Sequence, residues 1–246
     1  MQPDRRLDRF GCVIALEVGH RGVPHASTTR GPIIIAVDGP AAAGKGTLAR
    51  RLATTLALPY LDTGLLYRAV GRRVLDAGGD PRDVPAAMAA AAALQASDFA
   101  RADLRGPVAD MAATAVAAIA ELRAALLGFQ RSFGGAQGAV LDGRDIGTVV
   151  FPNARAKLFV TASAEERARR RQAELVARGV AADYAQVLSE IRDRDAQDEN
   201  RPVSPLRPAA DAMLLDTTAL DADGAFARAM QLLAPHIVDE ALLRKA

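Results

Sequence analysis

The run Gly39-Pro40-Ala41-Ala42-Ala43-Gly44-Lys45-Gly46-Thr47 places a glycine-bounded turn, a lysine and a hydroxyl within nine residues. Those groups together can grip a chain of phosphates. Glycines let backbone N–H groups curl around an anion, and a helix that follows turns the positive end of its dipole toward it. Lys45 would then reach the β- and γ-phosphates of a bound nucleoside triphosphate, and the Thr47 hydroxyl would serve as a Mg2+ ligand. The flanks suit that role: Ile33-Ile34-Ile35-Ala36-Val37-Asp38 reads as a buried strand, and Leu48, Leu52 and Leu56 recur at i, i+4 and i+8 as on an amphipathic helix. An alanine-rich turn with no ligand is the alternative, and composition argues against it. The chain has three lysines (45, 157 and 245) against twenty-eight arginines, and one of the three stands at the position that phosphate chemistry requires.

Three further charged groups sit at predicted strand ends or on nearby helices: Thr63 with Arg68, Arg144 with Asp145, and Arg194 with Asp198 and Arg201. Between residues 165 and 201 eight arginines alternate with nine acids, so this is an interleaved segment and not a basic patch. Arg169, Arg170 and Arg178 read as a solvated helical face laced with i, i+4 pairs. Arg194, Asp198 and Arg201 read as functional, because they approach the proline-rich stretch Arg201-Pro202-Val203-Ser204-Pro205-Leu206-Arg207-Pro208 that returns the chain to the sheet. The three histidines (20, 25 and 236) have no ligand-like grouping, so neither a zinc site nor histidine catalysis is expected.

The elements that must position these residues alternate between strand and helix. Pro59-Tyr60-Leu61, Ala139-Val140-Leu141, Lys157-Leu158-Phe159-Val160-Thr161 and Met213-Leu214-Leu215 read as strands. A helix is expected to start at Thr63 with Thr63 as its cap, and another to start with Pro81 in its first turn. The spacing of Ile119, Leu122 and Leu126 predicts one amphipathic helix over residues 108 to 133. Ser163 and Glu166 form a capping box for the helix after the fourth strand, which Gly179 stops, and Tyr184, Val187, Leu188 and Ile191 mark the next. Such alternation implies an α/β fold whose parallel sheet is covered on both faces. Ligands then lie beyond the C-terminal strand ends, where Asp38, Asp62, Asp142 and Thr161 fall.

At 246 residues the chain suits one large domain or a core with inserts. Its formal charge of +2 is already present in residues 1 to 30, where five arginines face Asp4, Asp8 and Glu17. The remainder is balanced, so no basic field points to nucleic acid. The single cysteine, Cys12, forms no internal disulfide and fits a reducing compartment. Residues 1 to 30 make a poor signal peptide and read as a flexible extension. No window has the ~18 apolar residues of a membrane span, so a cytoplasmic protein is expected.

The motifs together resemble the bacterial cytidylate kinase family of P-loop nucleoside monophosphate kinases. They are Asp38-Gly39-Pro40 through Gly44-Lys45-Gly46-Thr47; Asp62-Thr63-Gly64 with Tyr67-Arg68; Asp142-Gly143-Arg144-Asp145 with Gly147-Thr148-Val149-Val150-Phe151-Pro152; and Arg194-Asp195-Ala196-Gln197-Asp198-Glu199-Asn200-Arg201. The resemblance covers roughly residues 31 to 235. It implies a five-stranded parallel sheet flanked by helices, with a core of residues 31–61, 134–164 and 206–246. It further implies a monophosphate-binding insert at 62–133 and a helical lid at 165–205. It implies transfer of phosphate from ATP, with Mg2+, to CMP and dCMP by a monomer. A broader pyrimidine kinase, or a P-loop switch without catalysis, are the alternatives.

By position, the resemblance has Arg68 and Arg144 hold the acceptor phosphate. Thr63, Arg194 and Asp198 contact or border the pentose, and Arg201 approaches the transferring phosphoryl group. Asp145 and Arg123 read the base, and Thr114 aligns with a hydroxyl that also touches it. A carboxylate accepts from the cytosine 4-amino group and faces uracil O4 lone pair to lone pair. On one straight helix Thr114 and Arg123 lie on opposite faces, so either the helix breaks between them or Thr114 is not a ligand. The stretch from Leu94 to Arg105 is shorter than the β-rich insert many of these kinases carry. No general base is expected, because the attacking phosphate oxygen is already anionic near neutral pH.

Overall fold

The computed structural model describes residues 32–135 and 137–237. Its strands are β1 (Ile34–Asp38), β2 (Tyr60–Asp62), β3 (Ala139–Gly143), β4 (Ala156–Thr161) and β5 (Met213–Asp216). Every residue of β1 and of β3 is buried, the signature of strands covered on both faces. The five strands form one sheet in the order β2-β3-β1-β4-β5. β1 runs parallel to β3, with Ile34 opposite Ala139, and to β4, with Ile35 opposite Ala156. The loop that follows β1 therefore leaves from the middle of the sheet's C-terminal edge.

The helices are α1 (Lys45–Thr55), α2 (Thr63–Asp76), α3 (Val84–Ala92), α4 (Ala96–Phe99), α5 (Pro107–Ala117), α6 (Ala120–Gly135), α7 (Ala164–Ala177), α8 (Tyr184–Asn200) and α9 (Ala222–Ile237). A 3-10 turn covers Ala102–Leu104 and a π-helical turn covers Ile146–Val150. The described residues fold as two compact units, one of 33–60 with 139–237 and one of 61–135 with 137–138.

In the first unit Ile35, Val37, Leu48, Leu52, Val140, Leu158, Val160, Leu215 and Leu233 form one core, so α1 and α9 press their apolar faces on the sheet. α7 and α8 pair around a smaller cluster of Ala168, Leu175, Val187 and Ile191. Ser163 Oγ accepts from the Glu166 N–H at α7's start. At its end Gly179 takes φ 74 while Val180 N–H bonds back to the Leu175 carbonyl. That left-handed reversal is the stop Gly179 predicts. In the second unit α2 packs on α5 and α3, burying Leu66, Val70, Val74, Ala112 and Val116.

Three local expectations are corrected. The helix expected over 108–133 is two helices, α5 and α6, meeting at 98°. Ala118 and Ile119 N–H bond to the carbonyls of Ala115 and Val116 in tight i→i+3 fashion, and Ile119 turns inward to 7% exposure. Burial of Ile119 and a 3-10 end thus break the helix without a proline. The α2 cap is Asp62, whose carboxylate accepts from the Leu65 N–H, and not Thr63. A carboxylate one residue earlier reaches the free amides and favours the dipole's positive end. Pro81 lies in a turn before α3, which starts at Val84 with Asp83 as cap and Pro85 in its first turn. Among the described residues no single helix is long and apolar enough to cross a membrane.

Candidate active site

The phosphate loop is shaped by two close constraints. Gly39 has φ 150, and a Cβ there would lie 2.0 Å from the Val160 carbonyl oxygen of β4, so only glycine lets the chain cross that strand. Gly44 caps α1 at φ 85, and Ala42 is also left-handed at φ 58. Alternating hand turns successive N–H groups toward one point, a nest for an anion. α1 has neither a side-chain hydrogen bond at its cap nor an acid in its own first turn, so the negative charge beside its start comes from outside the helix. The buried Lys45 ammonium curls back to the Pro40 carbonyl at 3.2 Å, and Thr47 is exposed at the helix start. Gly46 faces Asp142: a Cβ there would stand 3.5 Å from Asp142 Oδ2 and 3.7 Å from the Tyr60 hydroxyl, which donates to Asp142 Oδ1 at 2.9 Å.

Two residues brace this loop that the sequence does not single out for it. Arg167 is 5% exposed, forms a two-pronged pair with Asp195 (2.9 and 2.6 Å), and places Nη1 3.3 Å from the Ala41 carbonyl. Thr217 Oγ lies within 3.2 Å of the Ala43 carbonyl and 3.1 Å of the Thr161 carbonyl. Arg170 donates to the Thr217 hydroxyl and to the Thr217 and Leu220 carbonyls. The solvated reading of Arg170 is therefore corrected: its stem lies along α7 toward the turn after β5, although it also takes the expected i, i+4 pair with Glu166. Arg169 and Arg178 do form local helical pairs, with Glu166 and Glu174. Nothing in the spacing of these arginines separates the inward two. An inward α7 face shared with Ala168 and Leu175 is the signal that could have found Arg167.

In the same unit Arg144, Asp145, Arg194, Asp198 and Arg201 come together. Arg144 Nε donates to Asp198 Oδ2 at 2.8 Å, and Nη1 to the Gly143 carbonyl at 3.3 Å. Burial works against the Arg144 charge, but Asp198, with Asp142 and Asp38, holds it above the usual guanidinium range. Burial likewise opposes the Asp198 charge, and Arg144, Arg194 and Arg201 hold its carboxyl below the usual range. Arg201 Nη1 stands 3.9 Å from Asp198 Oδ1, and its Nη2 3.9 Å from Asp145 Oδ1. Its Nε donates to the Ser204 carbonyl, and Leu206 N–H bonds to the Asp198 carbonyl, so the proline-rich stretch folds back on the end of α8. Asp145 is 6% exposed and opens the π-helical turn.

The second unit carries the other candidates. Thr63 is buried at the start of α2. Arg68 Nη2 donates to Asp62 at 2.9 Å, its Nη1 lies 4.0 Å from Asp110, and its buried Nε has no hydrogen-bond partner. Arg123 is 8% exposed, lies 5.5 Å from the Tyr67 ring centroid, and donates to the Ala117 carbonyl at 3.3 Å. It thereby covers a free carbonyl at the end of α5. Thr114 Oγ bonds to the Asp110 carbonyl. With the helix broken between them, Thr114 and Arg123 are no longer bound to opposite faces of one cylinder.

The chain matches the cytidylate kinase family over residues 35–234. A cytidylate kinase of Granulibacter bethesdensis is 62% identical over 201 residues, covering 82% of this chain and 96% of that one. One of Acidiphilium cryptum is 58% identical over 202 residues, covering 82% and 95%. The crystal structure of an uncharacterized protein from Eubacterium ventriosum superposes with a TM-score of 0.51 at 12% identity, over 82% of this chain and 98% of that one, and shares the fold. With the phosphate loop in place and identity of this order across four fifths of its length, the chain belongs to the cytidylate kinase family.

Proposed function

We propose that the chain transfers the γ-phosphoryl group of ATP to CMP and dCMP, giving CDP or dCDP and ADP. The observation that carries this reading is the buried Asp145 carboxylate, directly after an Arg144 that Asp198 fixes in place. An acceptor-only group beside a guanidinium suits a base with an exocyclic amine attached to a phosphate. Lys45 and the loop amides bind the donor phosphates. Arg144 and Arg68 hold the acceptor phosphate, Thr63, Arg194 and Asp198 the pentose, and Arg201 the group in flight. Arg123, and Thr114 with it, meet the base. Catalysis is then a matter of aligning two polyanions and neutralising their repulsion, with no proton to be removed.

The exposed Thr47 hydroxyl beside the phosphate loop is a hard oxygen donor of the kind Mg2+ takes, and the metal would share charge with the donor phosphates. The segment 165–205 serves as the lid that excludes water, and residues 62–133 as the monophosphate-binding region. The enzyme acts as a monomer in the cytoplasm on small molecules, not on nucleic acid. The test is product analysis by phosphorus NMR with ATP, CMP and Mg2+. Equimolar CDP and ADP support the reading; ADP with inorganic phosphate and no CDP overturns it.

A further inference from the structure

Asp38 ends β1 directly before Gly39, and the reaction as described gives it nothing to do. It is 5% exposed, and both carboxylate oxygens are occupied: Oδ1 accepts from the Ile146 N–H at 2.8 Å and Oδ2 from the Gly147 N–H at 2.7 Å. These two residues begin the π-helical turn whose opening residue is Asp145. The Asp145 carbonyl in turn accepts from the N–H groups of Val149 and Val150. A Cβ on Gly147 would meet Asp38 Oδ2 at 3.3 Å and the Lys157 stem at 3.1 Å, so the turn sits tightly on the carboxylate. One side chain thus ties the root of the phosphate loop to the turn that aims Arg144 and Asp145.

We propose that Asp38 is a positioning residue for base selection, setting the direction of Asp145 by holding the Ile146 and Gly147 amides. This rests on the reading of Asp145 as the group that meets the cytosine amine. The charged neighbours are Asp145 and Arg144 directly before the turn, Asp142 on β3, which acts with Asp38 on Arg144, and Lys157 on β4, whose stem meets Gly147 beside Asp38 and whose ammonium is engaged by Asp211. Burial pushes the Asp38 carboxyl up to about 6, against the two backbone hydrogen bonds; Asp145 raises it further and Arg144 opposes. Protonation leaves one oxygen as a donor, and one amide of the turn loses its acceptor.

The experiment compares kcat/KM for CMP and UMP in the wild type, Asp38→Asn and Asp145→Asn between pH 5 and 8. Both acceptors carry the same phosphate group, so its titration cancels in the ratio. The wild-type CMP:UMP ratio falls as pH drops through about 6. Asp38→Asn lowers the ratio about tenfold, one hydrogen bond to a charged group, and flattens its pH dependence, while KM for ATP stays within about twofold. An unchanged ratio, or a rise in KM for ATP equal to that for CMP, overturns the proposal. If Asp145→Asn also leaves the ratio unchanged, the base-reading assignment itself fails; if only Asp38→Asn does, the positioning role alone fails. The wild type provides a readout that needs no variant. The Ile146 and Gly147 amide protons should resonate downfield, and at least the one whose acceptor oxygen is protonated should move upfield as pH falls through about 6; shifts that ignore pH at both amides overturn the proposal.

Discussion

Replacing Asp145 by asparagine keeps the size and shape of a side chain that is 6% exposed and exchanges an acceptor-only group for one that also donates. With CMP, a charge-assisted bond to the 4-amino group becomes a neutral one, a loss of about 1–2 kcal/mol. With UMP, lone-pair repulsion at O4 gives way to a hydrogen bond, a gain of about 1 kcal/mol. Together the CMP:UMP ratio of kcat/KM should fall by about 30- to 150-fold, since each 1.4 kcal/mol is a factor of ten. Phosphate handling should survive. Arg201 stands 3.9 Å from Asp145, no closer than it stands to Asp198, and keeps its bond to the Ser204 carbonyl. Arg144 keeps its 2.8 Å bond to Asp198. A coupled assay of ADP formation at saturating ATP, with each acceptor titrated, gives both constants. A ratio within about twofold of wild type, against the expected loss of at least 2 kcal/mol, would refute the reasoning.

Lys45→Ala should cut turnover with every acceptor by about 10²–10³-fold or more, since it removes a fixed charge from the transferring group, while CMP binding measured by calorimetry persists; loss of CMP binding alone would contradict the assignment. Arg170→Met leaves the Thr217 and Leu220 carbonyls without a charged donor, so denaturant unfolding should show a loss of about 1–3 kcal/mol and KM for ATP should rise. A surface arginine would change neither. Asp38 makes stability depend on pH in the direction opposite to a paired carboxylate. Its folded value of about 6 lies above the ordinary 3.8, so the folded state binds the proton more tightly and ionised Asp38 destabilises at pH 7 by roughly 3 kcal/mol, relieved as pH falls from above 6 toward 4. Wild-type stability minus that of Asp38→Asn, from unfolding curves across pH 4–8, should therefore rise on acidification; a flat difference would count against it.

The phosphate loop was legible because its chemistry is local. Strand, glycines, Lys45 and Thr47 are contiguous, and composition made the lysine informative. Arg144, Asp145, Arg194, Asp198 and Arg201 could be named from their motifs, although the Arg144–Asp198 bond that unites them spans 54 positions. What escaped depends on packing at a distance. The break between α5 and α6 comes from burying Ile119 and from i→i+3 bonds, while the apolar spacing runs on unbroken through it. Arg170 carries the i, i+4 pattern of a solvated helix face, and only the turn after β5, 47 residues later, makes it an inward group. Asp38 looked like a strand-end carboxylate, and its partners lie 108 and 109 positions away. For Arg170 and Asp38 a contact from elsewhere in the chain decided the outcome, while the 108–133 helix ended at a tight local turn that apolar spacing does not show.

In the proposed reaction a buried carboxylate selects a cytosine nucleotide as acceptor. The most direct measurement is kcat/KM for CMP, dCMP, UMP, AMP and GMP with saturating ATP and Mg2+. CMP and dCMP should be turned over best, UMP more slowly by about tenfold or more, and the purine nucleotides negligibly. Faster turnover of UMP than of CMP would contradict the role of Asp145, and no turnover with any monophosphate would contradict the kinase reading as a whole.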